Sequence, residues 1–368
     1  MSRSAPFSMW LKLESPLLWL LMISVASIGL WLFSQQTVEA DFQGFGATTP
    51  GGAGQPIVHV TTLADSGAGS LREALSLGNR TIVFDLGGTI TLVSEIKVKG
   101  AFITVDGLSA PSPGITLLNA GLYLSGTKNT HNVIIQGLRI RNASADGITV
   151  RDNAHHVVID HVSAQGSADG DIDVTRGASD VTVQWSILAQ NNPIHNLLVL
   201  LDLQAFRVTF HHNLFVKGQS RHPHTGWDGT LATTPPDTVA DVRNNLIWEF
   251  SDYGTLAFNN TKTNVVRNFY HSLTQLNPNR ALRVTSGGQA YAQGNFSPTI
   301  ANIDSQGNTA QAFPAASVTT TGPCTAAQQI VAQAGARTQT WPLDKIDQQY
   351  IDDISKSLAT LILPQSCL

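Results

Sequence analysis

The stretch DGDIDVTRGASDVTVQWS, residues 169–186, decides how this chain folds: acidic residues at alternating positions lead through a turn into a β-branched run. That run is one copy of a recurring pattern. VIIQGLRI starts at Val133, VVIDHVSA at Val157, VTVQWSIL at Val181 and VTFHHNLF at Val208. Weaker copies follow as DVRNNLIW from Asp241, NVVRNFY from Asn264 and AYAQGNF from Ala290. Aligned on Leu138, Val162, Ser186, Asn213, Asn245, Asn268 and Asn295, the copies are offset by 24, 24, 27, 32, 23 and 27 residues. A strand-bearing repeat of this length cannot bury its apolar face alone, so it reads as a stacked solenoid. Equivalent residues of successive coils then stand about 4.8 Å apart, the spacing of neighbouring strands. The recurring asparagines are expected to stack inside, each amide satisfying the next. His212 and Trp185 are assigned to packing.

Outward from the repeats, the chain changes character. GFGATTPGGAGQP (44–56) is a Gly-rich opening loop, and the absence of a following Lys-Ser/Thr pair excludes a phosphate cradle. Ser70 and Glu73 form a capping box that starts a short helix, placed to plug the open end of the stack, with Arg72 in a structural role. RTIVFDL, GTITLV, FITVDGL and GITLLNA lead as strands into the regular coils, and two helical patterns after Cys324 form a covering tail. The expected architecture is all-β, with the β-helix over 41–315 and the tail over 316–368. Only 13% of residues are charged, the net charge is −4 and no Lys/Arg run occurs, which argues against a nucleic-acid partner. We expect a monomer.

At the N-terminus, an apolar run from Leu17 to Phe33 follows Arg3 and Lys12 and precedes Val38-Glu39-Ala40. Residues 1–40 are read as a signal peptide cut before Asp41, with a retained membrane anchor as the alternative; both put the fold outside the cytoplasm. Cys324 and Cys367 fit an oxidising compartment, and a bond between them would stabilise the tail by about 4 kcal/mol.

The chemistry is expected among Asp146, Asp160, Asp169, Asp171 and Asp173. Strand alternation puts Asp169, Asp171 and Asp173 on one face, and hard oxygen donors at this density suit calcium. Turn-capping aspartates are the plain alternative.

Gly44 to Leu75, NVIIQGLRIRN, VVIDHVSA, the stretch 169–186, VTFHHNLF, Arg221-His222-Pro223 and DVRNNLIW together resemble polysaccharide lyase family 1, the pectate lyases. The resemblance covers nearly all of residues 42–355, including AQQIVAQAGARTQTWPLDKID in the tail. It implies a secreted, right-handed parallel β-helix that cleaves 4-linked galacturonan, an acidic polysaccharide, by calcium-assisted β-elimination. Calcium ligands then fall on Asp146, Asp169 and Asp173, and the base on Arg221, with Asp160 and His161 supporting the fold. Two departures stand out. The closing arginine of the family's Arg-x-Pro-x-x-Arg motif falls at Gly226, with His224 where a neighbouring arginine is common. The substrate-binding lysine should lie near Asn196 to Leu198, where no basic residue but His195 is close. Lys217, His195, His222 and His224 are the candidates to grip substrate instead, and His222 or His224 is the rival base. Two further readings remain: an inverting glycoside hydrolase using paired aspartates, and a glycan-binding surface protein without activity.

Overall fold

The computed structural model describes residues 42–227, 238–272 and 280–367; the leader expected over 1–40 lies outside them. Residues Phe42–Leu368 form one compact unit. It is a right-handed parallel β-solenoid of three sheets, with ten, eight and eight strands among the described residues. Each coil visits the sheets in the same order. His155–Asp160 belongs to the ten-stranded back sheet, Ser163–Gln165 to the tail-side sheet and Ile172–Val174 to the groove sheet. The next coil begins at Ser179–Gln184, directly beside His155–Asp160, with Val157 opposite Val181.

Alternation explains the core. Ile148, Val150, Ile172, Val174, Val199 and Leu201 of the groove sheet are all 0% exposed and point inward. The residues between them face out. At the corner after the back sheet, the expected amide ladder is present: Asn213, Asn245 and Asn268 each donate Nδ2 to the Oδ1 of the next asparagine at 3.0–3.1 Å. Each backbone N–H also donates to that same Oδ1. Ser186 continues the line, its N–H donating to Asn213 Oδ1 at 3.0 Å and its Oγ accepting from Val162 N–H at 3.1 Å.

The short helix is confined to Leu71–Ala74, with Ser70 Oγ accepting from Glu73 N–H. Leu71 and Leu75 are fully buried in the core at that end. Arg72 is structural as expected: it reaches Asp65 Oδ1 at 2.6 Å and the carbonyls of Ser94 and Glu95. Asp160 and His161 likewise serve the scaffold, Asp160 Oδ1 accepting from Gln184 Nε2 and lying 2.9 Å from His161 Nδ1. Trp185 stacks on His212, ring centres 4.4 Å apart.

The tail helices Pro323–Gln333 and Lys345–Thr360 close the tail-side sheet, packing Ile330, Ile351 and Ile354 with Ile187, Leu214, Leu246 and Phe269. A charged clamp fixes them. Arg141 lies 2.9 Å from Asp344 and 2.8 Å from the fully buried Asp347. Arg139 donates to the carbonyls of Pro113, Ala336 and Pro342. Cys324 and Cys367 are joined as a disulfide, closing a separation of 43 residues.

Asn245→Ala should lower the unfolding free energy by roughly 3 kcal/mol, since it strips two donors and two acceptor contacts from a dry corner. Urea unfolding of the two proteins measures the difference. Cys324→Ser should cost about 4 kcal/mol by the same measurement.

Candidate active site on the groove sheet

Strand register lays one outward row across the groove sheet. Lys97, Tyr123, Thr149, Asp173, Leu200, His224, Leu256 and Arg283 are paired in succession. The acidic residues meet where the chain enters this sheet. Asp146 precedes strand Ile148–Arg151, and Asp169 precedes Ile172–Val174. Asp146 is held on both oxygens: Thr149 Oγ1 donates to one at 2.9 Å, and Gly170 N–H to the other at 3.1 Å. Asp173 closes on the same point. A Cβ added to Gly170 would stand 2.9 Å from Asp173 Oδ1 and 3.4 Å from Asp146 Oδ1, so glycine leaves the two carboxylates room to converge.

Their electrostatics follow from that crowding. Burial chiefly raises the pKa of Asp146 and the Asp169 charge adds to it, against the two hydrogen bonds and the Arg221 guanidinium. Burial likewise pushes Asp173 well above the ordinary carboxylate value, with Asp146 and Asp169 adding and Arg221 opposing. The Arg221 charge therefore acts on both acids. Its backbone is tied into the row, its carbonyl accepting from Val199 N–H at 2.9 Å. Among the described residues its guanidinium makes no hydrogen bond or ion pair. Buried Tyr253 also feels its charge.

The remaining expected residues divide. His195 joins the site, its Nε2 2.9 Å from Asp169 Oδ1. His224 stands in the outward row beyond Leu200, its ring edge-on to Phe258 at 5.5 Å. Burial and nearby Arg221 hold its pKa down to about 4. His222 and Lys217 require correction. His222 is 0% exposed, packed against Phe215 and Phe250, with Nδ1 3.1 Å from the Tyr253 carbonyl, so it touches no substrate and is no base. It lies before the strand, which begins only at His224, so alternation does not govern its direction. Lys217 Nζ lies 3.8 Å from Glu249 and 5.5 Å from the Tyr350 ring of the tail helix; it belongs to the tail contact. Asp171 also leaves the expected face. Its strand begins only at Ile172, and Asp171 is fully buried, its pKa pushed far up chiefly by burial.

Among the described residues no three His, Cys, Asp or Glu side chains form a finished metal cage. The donors nonetheless fit a hard cation. Asp173 Oδ1 is buried without a hydrogen-bond partner, beside the Leu198 carbonyl and Asp146 Oδ1 and near a third carboxylate, so the point is lined by oxygens. The sequence reading missed Thr149, Leu200, Leu256 and Arg283. Carrying the coil offsets onto the groove strands finds them, since 149, 173, 200, 224, 256 and 283 differ by 24, 27, 24, 32 and 27. A separate cavity of about 480 Å³ opens at the exit edge of the sheet, beside Asp152 and Arg176, and holds none of the expected residues.

These features define a parallel β-helix protein with an acid-lined groove on one sheet. No family model matches the chain. Curated relatives do. It is 34% identical over 186 residues to a probable pectate lyase C of Emericella nidulans, covering 49% of this chain and 43% of that one. It is 28% identical over 299 residues to a probable pectate lyase C of Aspergillus fumigatus, covering 78% and 65%. The chain thus spans roughly two fifths to two thirds of the length of these relatives. A solved pectate lyase of Bacillus sp. N165, in complex with trigalacturonate, superposes with a TM-score of 0.60 at 20% identity, over 80% of this chain and 98% of that one. The chain is a relative of proteins named pectate lyase and shares their fold.

Burial of neutral His222 has a measurable consequence. Its folded pKa lies at about 4 against an ordinary 6.5, so the unfolded chain takes the proton first and stability falls as pH drops through that window. The loss should reach about 3 kcal/mol. Urea unfolding at neutral pH and at pH 4 should show His222→Asn losing less than the wild type by about that amount.

Proposed function

We propose that this protein is a polysaccharide lyase that cleaves 4-linked galacturonan by β-elimination, with Arg221 as the base and calcium at Asp146, Asp169 and Asp173. The reading is supported by the convergence of Asp146 and Asp173 beside Gly170 and by the influence of the Arg221 charge on both acids. The names of the curated relatives support it.

In the reaction, the proton on C5 of a uronate passes to Arg221. The C5–H electron pair forms the C4–C5 double bond, and the C4–O bond breaks with its pair going to the leaving sugar. Calcium, when bound, supplies positive charge that withdraws electrons from the sugar carboxylate and acidifies that proton. Arg221 carries a guanidinium, ordinarily a poor base. Its freedom from any carboxylate partner among the described residues supports the role, because an ion pair would lock in the charged form. His224 is the weaker candidate: with a pKa near 4, it has little affinity for a carbon-bound proton. Asp146, oriented by Thr149 and Gly170, sets the position of the acid edge. His195 beside Asp169 is assigned to the sugar's polar groups at the rim.

We also propose export of the chain, which the disulfide supports. Among the described residues no helix is long and apolar enough to cross a membrane.

Arg221→Ala should lower the rate of ultraviolet-absorbing unsaturated product from galacturonan by at least about 100-fold, with the circular dichroism spectrum unchanged. Undiminished activity in that variant removes Arg221 from the role. Chelation should abolish wild-type activity and added calcium restore it, and Asp173→Asn should raise the calcium concentration needed. Reducing ends without ultraviolet absorbance would instead identify a hydrolase.

A further inference from the structure

The groove floor narrows the substrate of the lyase reading, on which this inference rests. From Asp173 onward the outward row reads Leu200, His224, Leu256 and then Arg283. Leu200 is half-buried and Leu256 is 6% exposed. His224 lies edge-on to Phe258, with its Nε2 buried and unpartnered. Two residues further along the same strands, Phe258 registers with Gly226, and the Asp202 carboxylate closes on the same place. The neighbouring cations are elsewhere engaged: Lys217 at the tail, and Arg280 with Asp252 at 3.1 Å. Segments 228–237 and 273–279 contain no lysine or arginine. Beyond Arg221, the next cation in the row is Arg283, four strand spacings or roughly 19 Å from Asp173.

A fully ionised galacturonan laid across these strands would set carboxylates against leucine and a neutral ring. Taking a carboxylate out of water there is unfavourable without a counter-charge. A methyl ester on the same carbon has no charge to desolvate, and its methyl group gains from apolar contact. We propose that the floor made by Leu200, His224 and Leu256 receives a methyl-esterified uronate, so that the substrate is a partly esterified galacturonan cut at an unesterified residue held between the acids and Arg221.

The test measures initial rates of unsaturated product on galacturonans of graded methyl-esterification, with calcium present. Wild type should be several-fold faster on partly esterified polymer than on the fully de-esterified one, and slow again at full esterification. Leu200→Lys, which places a cation on the half-exposed floor, should lower KM for de-esterified polymer and reverse that preference about tenfold. Mass spectrometry of wild-type products should place methyl esters within a few sugars of the new ends, a readout independent of the variant. A fastest rate on de-esterified polymer, or products with no ester near the cut, overturns the inference while leaving the lyase reading intact. Absence of unsaturated product on every polymer overturns both.

Discussion

Everything in this molecule depends on parallel, in-register stacking of coils. Backbone hydrogen bonds run along the stack, so each residue's nearest strand neighbours are its counterparts one coil away, at a spacing of about 4.8 Å that no side chain can alter. The asparagine line at the corner makes the register hard to slip, because a displaced coil would leave buried amides and N–H groups without partners. Once that register is fixed, Thr149 must stand beside Asp173, and Asp173 beside Leu200. The groove is a consequence of coil geometry before it is a consequence of chemistry.

Against that scaffold, two clusters of buried charge behave differently. On the tail side, Arg141 meets Asp344 and Asp347 within 3 Å, so each charge has a counter-charge and the cluster fastens the covering helices. At the groove edge the acids repel each other, and Asp173 Oδ1 has no partner at all. Asp173 Oδ1 is one of several buried polar atoms without a hydrogen-bond partner, and the like charges of Asp146 and Asp169 press on it further. The tail-side acids gather around Arg141, whereas Asp146, Asp169 and Asp173 crowd one another at the groove edge. Asp171 and Asp347, both fully buried, are no part of the groove: Asp171 lies before its strand begins at Ile172, and Asp347 faces Arg141 on the tail side.

The fold was legible from the sequence because repeat length, β-branched runs and recurring asparagines all describe one geometry. The solenoid, the amide line, the capping box and the structural roles of Arg72 and Trp185 follow from residue type and position, and that of Asp160 from the resemblance. For Asp146, Asp173 and Arg221 the resemblance supplied the proposed roles, and the structure sets the two acids beside each other within the influence of the Arg221 charge. Failures came at strand phase. Asp171, His222 and Lys217 each lie at a turn, where one residue more or less decides whether a side chain faces groove, core or tail, and the sequence carries no marker of that choice. His222 is the clearest case, neighbour to Arg221 yet wholly inside.

The departures from the family pattern are linked by space. A Cβ at Gly226 would stand 2.7 Å from Asp202 Oδ1, so the missing arginine could return only if Asp202 moved from the turn it shares with Leu203. Where a lysine is expected, Asn196 instead bonds the Lys217 carbonyl, Leu197 bridges to Ser220 and Leu198 is buried. Restoring either charge therefore means rebuilding the turn around it. The surface around these positions carries leucine, phenylalanine and an imidazole held neutral by burial. Arg221 stands between the two regimes, with carboxylates on one flank and an uncharged floor on the other. A polymer that satisfies both flanks must itself vary along its length, charged where its C5 proton is taken and neutral beyond.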